Sequence, residues 1–231
     1  MPHVYSQPEI TASEVAVSKI AESEVAVLIP VKSFTTAKHR LAPTLGTTER
    51  EDLARHMATH VVACAGSLPV AVVCDTPNVR SWAISIDTQV IWCPNTGLNN
   101  AVRCGVNQLR DAGYKRIIVA HGDLPLAGLL EPLGDWPGIT LAPDHRNDGT
   151  NVIALPSDSD FQFQYGAGSF QRHLAEAQRT GCSLRVLRNP SFGLDIDIPE
   201  DLQILAELNK LPNGLQNKLN NKLNNKLLTN A

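Results

Sequence analysis

Three aspartates in this chain stand where carboxylates could do chemistry. Asp123 lies just past the apolar, largely β-branched run Ile117-Ile118-Val119-Ala120. Such a run reads as a strand buried on both faces, and the carboxyl ends of strands are where open α/β sheets bind ligands. Asp195 and Asp197 are two residues apart and alternate with Ile196 and Ile198. If that segment is an extended strand, both carboxylates leave one face and both isoleucines the other. Three acidic groups brought together in this way would suit one hard cation. The competing reading is an N-cap aspartate and a solvated strand end, and the residues alone leave both open.

A second feature is basic. The loop from Pro30 to Leu41 carries Lys32, Lys38 and Arg40, three fixed cations within nine residues, beside the hydroxyls of Ser33, Thr35 and Thr36. A triphosphate needs such neutralisation. The glycines and the G-K-[ST] ending of a Walker loop are absent, and solvated surface loops are also commonly basic. What favours the phosphate role is position, because the loop follows the first strand on the edge that bears Asp123. His145 and His173 read as surface or structural residues, and Arg103 and Arg146 as exposed-face residues that could also reach a phosphate.

The elements that must position these groups follow from periodicity. Apolar runs predict strands at Val25–Ile29, Val70–Cys74, Val90–Cys93, 117–120, Ile139–Ala142, Asn151–Leu155, Leu184–Leu187 and Leu194–Ile198. Helices are predicted from Thr47, as N-cap, to about Ala65, from Leu98 to Ala112 and from about Phe170 to Arg179 with Ser169 as N-cap. A last helix opens with Pro199 at its first position. Strand and helix alternate, which predicts an α/β fold: one domain built on a mainly parallel sheet covered on both faces. Residues 1–24 form an N-terminal extension, in which Ser13-Glu14-Val15-Ala16-Val17 is echoed at Ser23–Val27. The first copy reads as an edge strand or a loose arm. Residues 25–210 form the domain. Residues 211–231 form a low-complexity tail of Asn, Lys and Leu, read as solvated, with an amphipathic docking helix as the alternative.

Composition narrows the partners. With 231 residues and a formal charge of −3, the chain has room for a sizeable core and no overall basic field, so nucleic acid is not an expected partner. No run of about 18 apolar residues suggests a membrane span, and the amino terminus lacks a basic flank followed by an apolar stretch. The five cysteines are odd in number and scattered, with no C-x-x-C pair, and read as reduced core residues. A cytoplasmic protein is the expectation.

Taken in order, the motifs are specific. They run P-V-K, A-K-x-R-L-A-P, E-R near a helix start, G-L-N-x-A (Gly97 to Ala101), G-D-L-P-L, D-x-x-x-x-G-T-N (Asp144 to Asn151), Y-G-A-G-S-F (Tyr165 to Phe170) and G-L-D-I-D-x-P-E-D-L. Over about residues 25 to 208 the chain resembles the guanylyltransferases of deazaflavin coenzyme (coenzyme F-420) biosynthesis, which include 2-phospho-L-lactate and phosphoenolpyruvate guanylyltransferases. The resemblance implies a Rossmann-like three-layer fold of the nucleotidyltransferase (GT-A-like) type. It implies a Mg2+-dependent transfer of GMP from GTP, with pyrophosphate released, to 2-phospho-L-lactate, phosphoenolpyruvate or 3-phospho-D-glycerate. Asp123, Asp195 and Asp197 would be the catalytic and metal-holding residues, Lys32, Lys38 and Arg40 would meet the phosphates, and Gly97 with Asn99 the nucleotide. Thr150, Gly166 and Ser169 would meet the acceptor. At Ser169 a helix N-terminus offers an anion its hydroxyl, backbone N–H groups and the favourable end of the dipole, while simple capping is the alternative role. His121 and Tyr165 depart from the small or apolar residue and the phenylalanine expected at their positions. A homodimer is compatible with the resemblance, and a downstream transferase would accept the activated product.

Two other functions would leave different marks in the sequence. A nucleotidyltransferase acting on a sugar phosphate or a molybdopterin would carry a long Gly-rich loop after the first strand, where this chain has P-V-K-S-F-T-T-A-K-H-R-L. A non-catalytic nucleotide-binding or assembly protein would not need the acidic trio. The sequence leaves open which phospho-acid is accepted, since the three differ by small groups worth only a few kcal/mol in a pocket.

Overall fold

The side chains of the first strand alternate between two helical layers. In β1 (Val25–Pro30), Ala26 and Leu28 pack with Val102, Val106 and Leu109, whereas Val27 and Ile29 pack with Val61 and Ile118. A strand apolar at every position is therefore buried on both faces. The computed structural model describes residues 23–208, 210–212 and 214–217. The first Ser-Glu-Val-Ala-Val copy and most of the tail lie outside these residues.

After β1 the chain runs through α1 (Thr47–Ala63), β2 (Val70–Cys74), α2 (Pro77–Ser85), β3 (Gln89–Trp92), α3 (Gly97–Asp111) and β4 (Arg116–Ala120). It continues through β5 (Ile139–Pro143), β6 (Thr150–Pro156), α4 (Ser169–Arg179), β7 (Leu184–Val186), the short α5 (Pro190–Gly193) and α6 (Pro199–Glu207). The strands form one sheet in the order β3-β2-β1-β4-β6-β5-β7. β6 runs antiparallel to both β4 and β5, and the other pairs are parallel, so the mainly parallel α/β sheet expected is found. Pro30 is in register with Val73, and Leu28 with Val119, which brings the loops after β1, β2 and β4 to one edge. On the α3 face the packing is close: a Cβ on Gly105 would lie 2.6 Å from a methyl of Leu28.

Several expectations are corrected. Leu194–Ile198 is not a strand but an extended connection between α5 and α6, joined to the Asp123 loop by one backbone hydrogen bond from Ile196 (3.4 Å). The expected alternation holds for Ile196, fully buried between two partly exposed aspartates, but not for Ile198, which is itself partly exposed. Gly46 and Gly168, not Thr47 and Ser169, are the N-caps of α1 and α4, so each helix begins one residue earlier and Ser169 makes no side-chain cap. Cys93 and Cys104 are joined by a disulfide, because α3 runs back from the end of β3 and brings their Cα atoms to 7.0 Å; Cys64, Cys74 and Cys182 are free. The start of the tail is not solvated. Leu211 and Leu215 are buried against Leu53 and Met57 of α1 and Leu202 and Leu205 of α6, since each leucine has an apolar cleft to enter. No helix among the described residues is long and apolar enough to cross a membrane.

Candidate active site

At the carboxyl edge of β1, β2 and β4 the sheet opens into a cavity of about 320 Å³. The loop after β1 supplies Lys32 and Lys38, the end of β2 supplies Asp75, the start of α3 supplies Gly97, and the turn after β4 supplies His121 and Asp123. Gly97 has φ +70° with nothing within 4 Å of where a Cβ would stand, so this turn needs glycine for its backbone and leaves open space in front of it.

Lys38 is the centre of the electrostatics. Its ammonium donates to Asp123 Oδ2 at 2.6 Å and to Asp197 Oδ1 at 2.9 Å, joining residues far apart in sequence. Burial alone would lower the Lys38 pKa, but the two carboxylates outweigh it and hold the ammonium above its usual range. Burial would likewise raise Asp123, and the Lys38 charge instead holds its carboxyl below the usual range. Asp195 behaves differently. Burial, reinforced by the negative charges of Asp123 and Asp197, pushes its carboxyl up to about 6.

These features test whether a divalent cation fits. Among the described residues no three acidic, imidazole or thiol groups are already drawn together as a ligand set, because Lys38 stands between two of the aspartates. The chemistry of the donor set nevertheless suits a cation. Asp123 Oδ1 and Asp195 Oδ1 are buried without hydrogen-bond partners, burial together with the acidic neighbours holds the Asp195 carboxyl above its ordinary range, and the Lys38 ammonium supplies a positive charge to Asp123 and Asp197. The three carboxylates fit a hard cation once that ammonium moves aside.

The remaining expected residues fall in two groups. Asn99 is engaged by the protein itself: its Oδ1 accepts from the Tyr165 N–H at 2.6 Å and its Nδ2 donates to the Tyr165 carbonyl at 3.4 Å. Arg40 is exposed and does not line the cavity. Thr150, Gly166 and Ser169 do not line the cavity, and a chain of rings leads from it to Thr150. The His121 ring packs on Tyr165 with centroids 4.9 Å apart, Tyr165 packs edge-on against His173 at 4.9 Å, and His173 reaches the Thr150 hydroxyl. Gly166 and Ser169 share one turn, in which the Ser169 N–H donates to the Gly166 carbonyl. Burial lowers the His121 pKa and raises that of Tyr165, and neither His121 Nε2 nor the Tyr165 hydroxyl has a partner.

Three residues that support the site were missed or misread from the sequence. Asp75 lines the cavity with Oδ1 buried and unpartnered, and its only signal was a place at a strand end. Asp201, fully buried, accepts from the N–H groups of Asp197 and Ile198 at 2.8 and 2.9 Å and so fixes the backbone that presents Asp197. Arg146, read as an exposed-face residue or phosphate ligand, is instead the ion-pair partner of Asp201. The P-E-D-L motif contained the Asp201 signal, an acidic residue three places after the helix N-cap.

The sequence and the fold both have relatives among known proteins. Phosphoenolpyruvate guanylyltransferase of Sphaerobacter thermophilus is 34% identical over 189 residues, which is 78% of this chain and 91% of the relative. Its namesake from Rubrobacter xylanophilus is 34% identical over 77% of this chain and 91% of its own. Among solved structures, a putative nucleotide-diphospho-sugar transferase from Desulfovibrio desulfuricans G20 superposes with a TM-score of 0.70 at 17% identity, covering 86% of this chain and 95% of that one. A nucleotidyl transferase from Methanothermobacter superposes with a TM-score of 0.56 at 16% identity, covering 78% and 95%. These neighbours share the fold. The model of the family described as "Guanylyl transferase CofC like" matches residues 25–209, nearly all of the described domain, and the chain belongs to that family.

Proposed function

We propose that this protein transfers GMP from GTP to phosphoenolpyruvate, releasing pyrophosphate, as a step in the assembly of a deazaflavin coenzyme. The observation that carries the reading is the cavity at the carboxyl edge of β1, β2 and β4, lined by Lys32, Lys38 and Asp123 with Lys38 paired to Asp123, in a chain of this family. A phosphate oxygen of the acceptor attacks the α-phosphorus of GTP, the bond to the β-phosphate bridging oxygen breaks, and pyrophosphate leaves with that electron pair. The attacking phosphate is already largely ionised at neutral pH, with a second pKa of about 6, so no side chain has to remove a proton. The residues therefore align two polyanions and neutralise them.

Asp123, Asp195 and Asp197 would hold Mg2+, which supplies charge neutralisation at the α-phosphate and the departing pyrophosphate. Lys38, released from its carboxylates, and Lys32 complete that neutralisation on the protein side. Gly97 allows the nucleotide close to the backbone, and the free Asp75 oxygen can accept from N1–H and the 2-amino group of guanine, donors that adenine does not present at those positions. Thr150, Gly166 and Ser169 would meet the acceptor. The names of the relatives favour phosphoenolpyruvate over 2-phospho-L-lactate and 3-phospho-D-glycerate. Pyrophosphate release measured with GTP, Mg2+ and each acid in turn should be fastest with phosphoenolpyruvate. Faster turnover of either other acid would reassign the acceptor.

A further inference from the structure

The hydrogen bonds around His173 fix which of its ring nitrogens carries the proton. The backbone N–H of Gln164 donates to Nε2 at 2.9 Å, so Nε2 must present its lone pair. In the neutral ring the proton is then on Nδ1, which lies 3.0 Å from the Thr150 hydroxyl oxygen. The ring is fully buried, and its neutral form is secured by burial, which brings its pKa down to about 4. Phe161 and Tyr165 pack against it with centroids 5.6 and 4.9 Å away, so it has little freedom to turn over.

A threonine hydroxyl can donate one hydrogen bond and accept two. Facing a donor at Nδ1, the Thr150 oxygen accepts on that side, and its own proton is left to point elsewhere. A carboxylate or phosphate can only accept, so it needs that proton. The opposite tautomer would draw the proton toward His173 and turn the oxygen lone pairs on the anion. Thr150 is itself buried at the start of β6, leaving its hydroxyl few other partners.

We propose that His173 is a positioning residue that holds the Thr150 hydroxyl as an outward donor, and so sets affinity for the anionic acceptor without touching it. This rests on the reading above that Thr150 meets the phospho-acid. Two substitutions divide the roles of the ring. His173→Asn places an amide donor near the Nδ1 position and gives up the Gln164 partner, while His173→Gln places an amide near Nε2, retains that partner and strips Thr150 of its donor.

Kinetics with varied phosphoenolpyruvate at saturating GTP and Mg2+ should show the apparent KM for the acid raised about tenfold to a hundredfold in His173→Gln and Thr150→Val, as for a lost hydrogen bond to a charged group. The KM for GTP should stay within about twofold, and His173→Asn should restore acceptor affinity to near that of the wild type. Independently of folding of any variant, 15N spectra of histidine-labelled wild-type protein should show His173 protonated at Nδ1 and bare at Nε2. An Nε2-protonated ring overturns the proposal. So does an unchanged acceptor KM in His173→Gln, or equal losses in both His173 variants that track their melting temperatures. If the wild type transfers GMP but Thr150→Val keeps its acceptor KM, the Thr150 contact is wrong and the relay falls with it. If the wild type transfers GMP to none of the three acids, the functional reading itself has failed.

Discussion

Asp75 is the residue whose chemistry says most about the choice of nucleotide. Asp75 lines the cavity and its Oδ1 is buried without a hydrogen-bond partner, and such an oxygen gains most from a ligand that brings a donor. Asp75→Ala should lower kcat/KM for GTP by about tenfold to a hundredfold while leaving any residual turnover of ATP nearly unchanged, measured as pyrophosphate release. Equal losses for both nucleotides would remove it from base recognition. His173 gives a prediction in pH. Its folded pKa of about 4 lies below the usual value near 6.5, so between these limits the unfolded chain binds the proton and the folded chain does not. The neutral ring therefore stabilises the fold fully above pH 6.5, and that contribution is lost as pH falls towards 4. His121, Arg172 and Glu176 are the titratable or charged groups acting on it, and only Glu176 opposes the shift. Urea unfolding should show a loss from pH 7 to pH 5 that is about 2 kcal/mol larger in the wild type than in His173→Asn. Parallel curves would contradict the buried neutral ring. The acidic trio was legible from spacing because aspartates beside apolar runs stand out. Asp75, His173 and Arg146 were not, since their roles depend on partners that only the folded chain brings near.

Among the elements, α6 does more than cover the core. Asp201, in its first turn, ties the Asp197 and Ile198 N–H groups to the helix and is backed by Arg146. Asp201→Ala leaves those donors unsatisfied and frees the segment that aims Asp197. The expected outcome is a loss of about 1–3 kcal/mol of stability together with a reduced kcat, read by thermal melting and steady-state kinetics. A variant that melted and turned over like the wild type would show that α6 does not position Asp197. Strands of continuous β-branched residues and the strongly amphipathic α3 and α4 were readable from their periods. α2 was missed because its apolar face, Val79, Trp82 and Ala83, is short and follows a Pro-Asn pair that reads as a turn. Leu194–Ile198 has a strand's alternation, but alternation does not supply a neighbour to pair with. The antiparallel direction of β6 was equally invisible, since β4, β5 and β6 are all buried apolar runs whose local pattern carries no direction.

Over the whole molecule, the fold and the chemistry meet along a single sheet edge. Strand register brings the β1, β2 and β4 loops together, Lys38 bridges to Asp197 from the last third of the chain, and the rings of His121, Tyr165 and His173 connect this edge to Thr150. Closure of the domain also draws on residues that composition assigned to a solvated tail, Leu211 and Leu215, which a low-complexity repeat disguised. The central claim is that the α-phosphate of GTP moves to an organic phosphate. A single-turnover reaction with GTP labelled at the α-phosphorus, Mg2+ and phosphoenolpyruvate tests it most directly, with the labelled products separated by charge and size. The account predicts that the label passes into a new anhydride containing both guanosine and the acid, with unlabelled pyrophosphate formed in equal amount and only when acceptor is present. Label remaining in GTP, or appearing only in GMP or GDP at a rate indifferent to the acid, would contradict it.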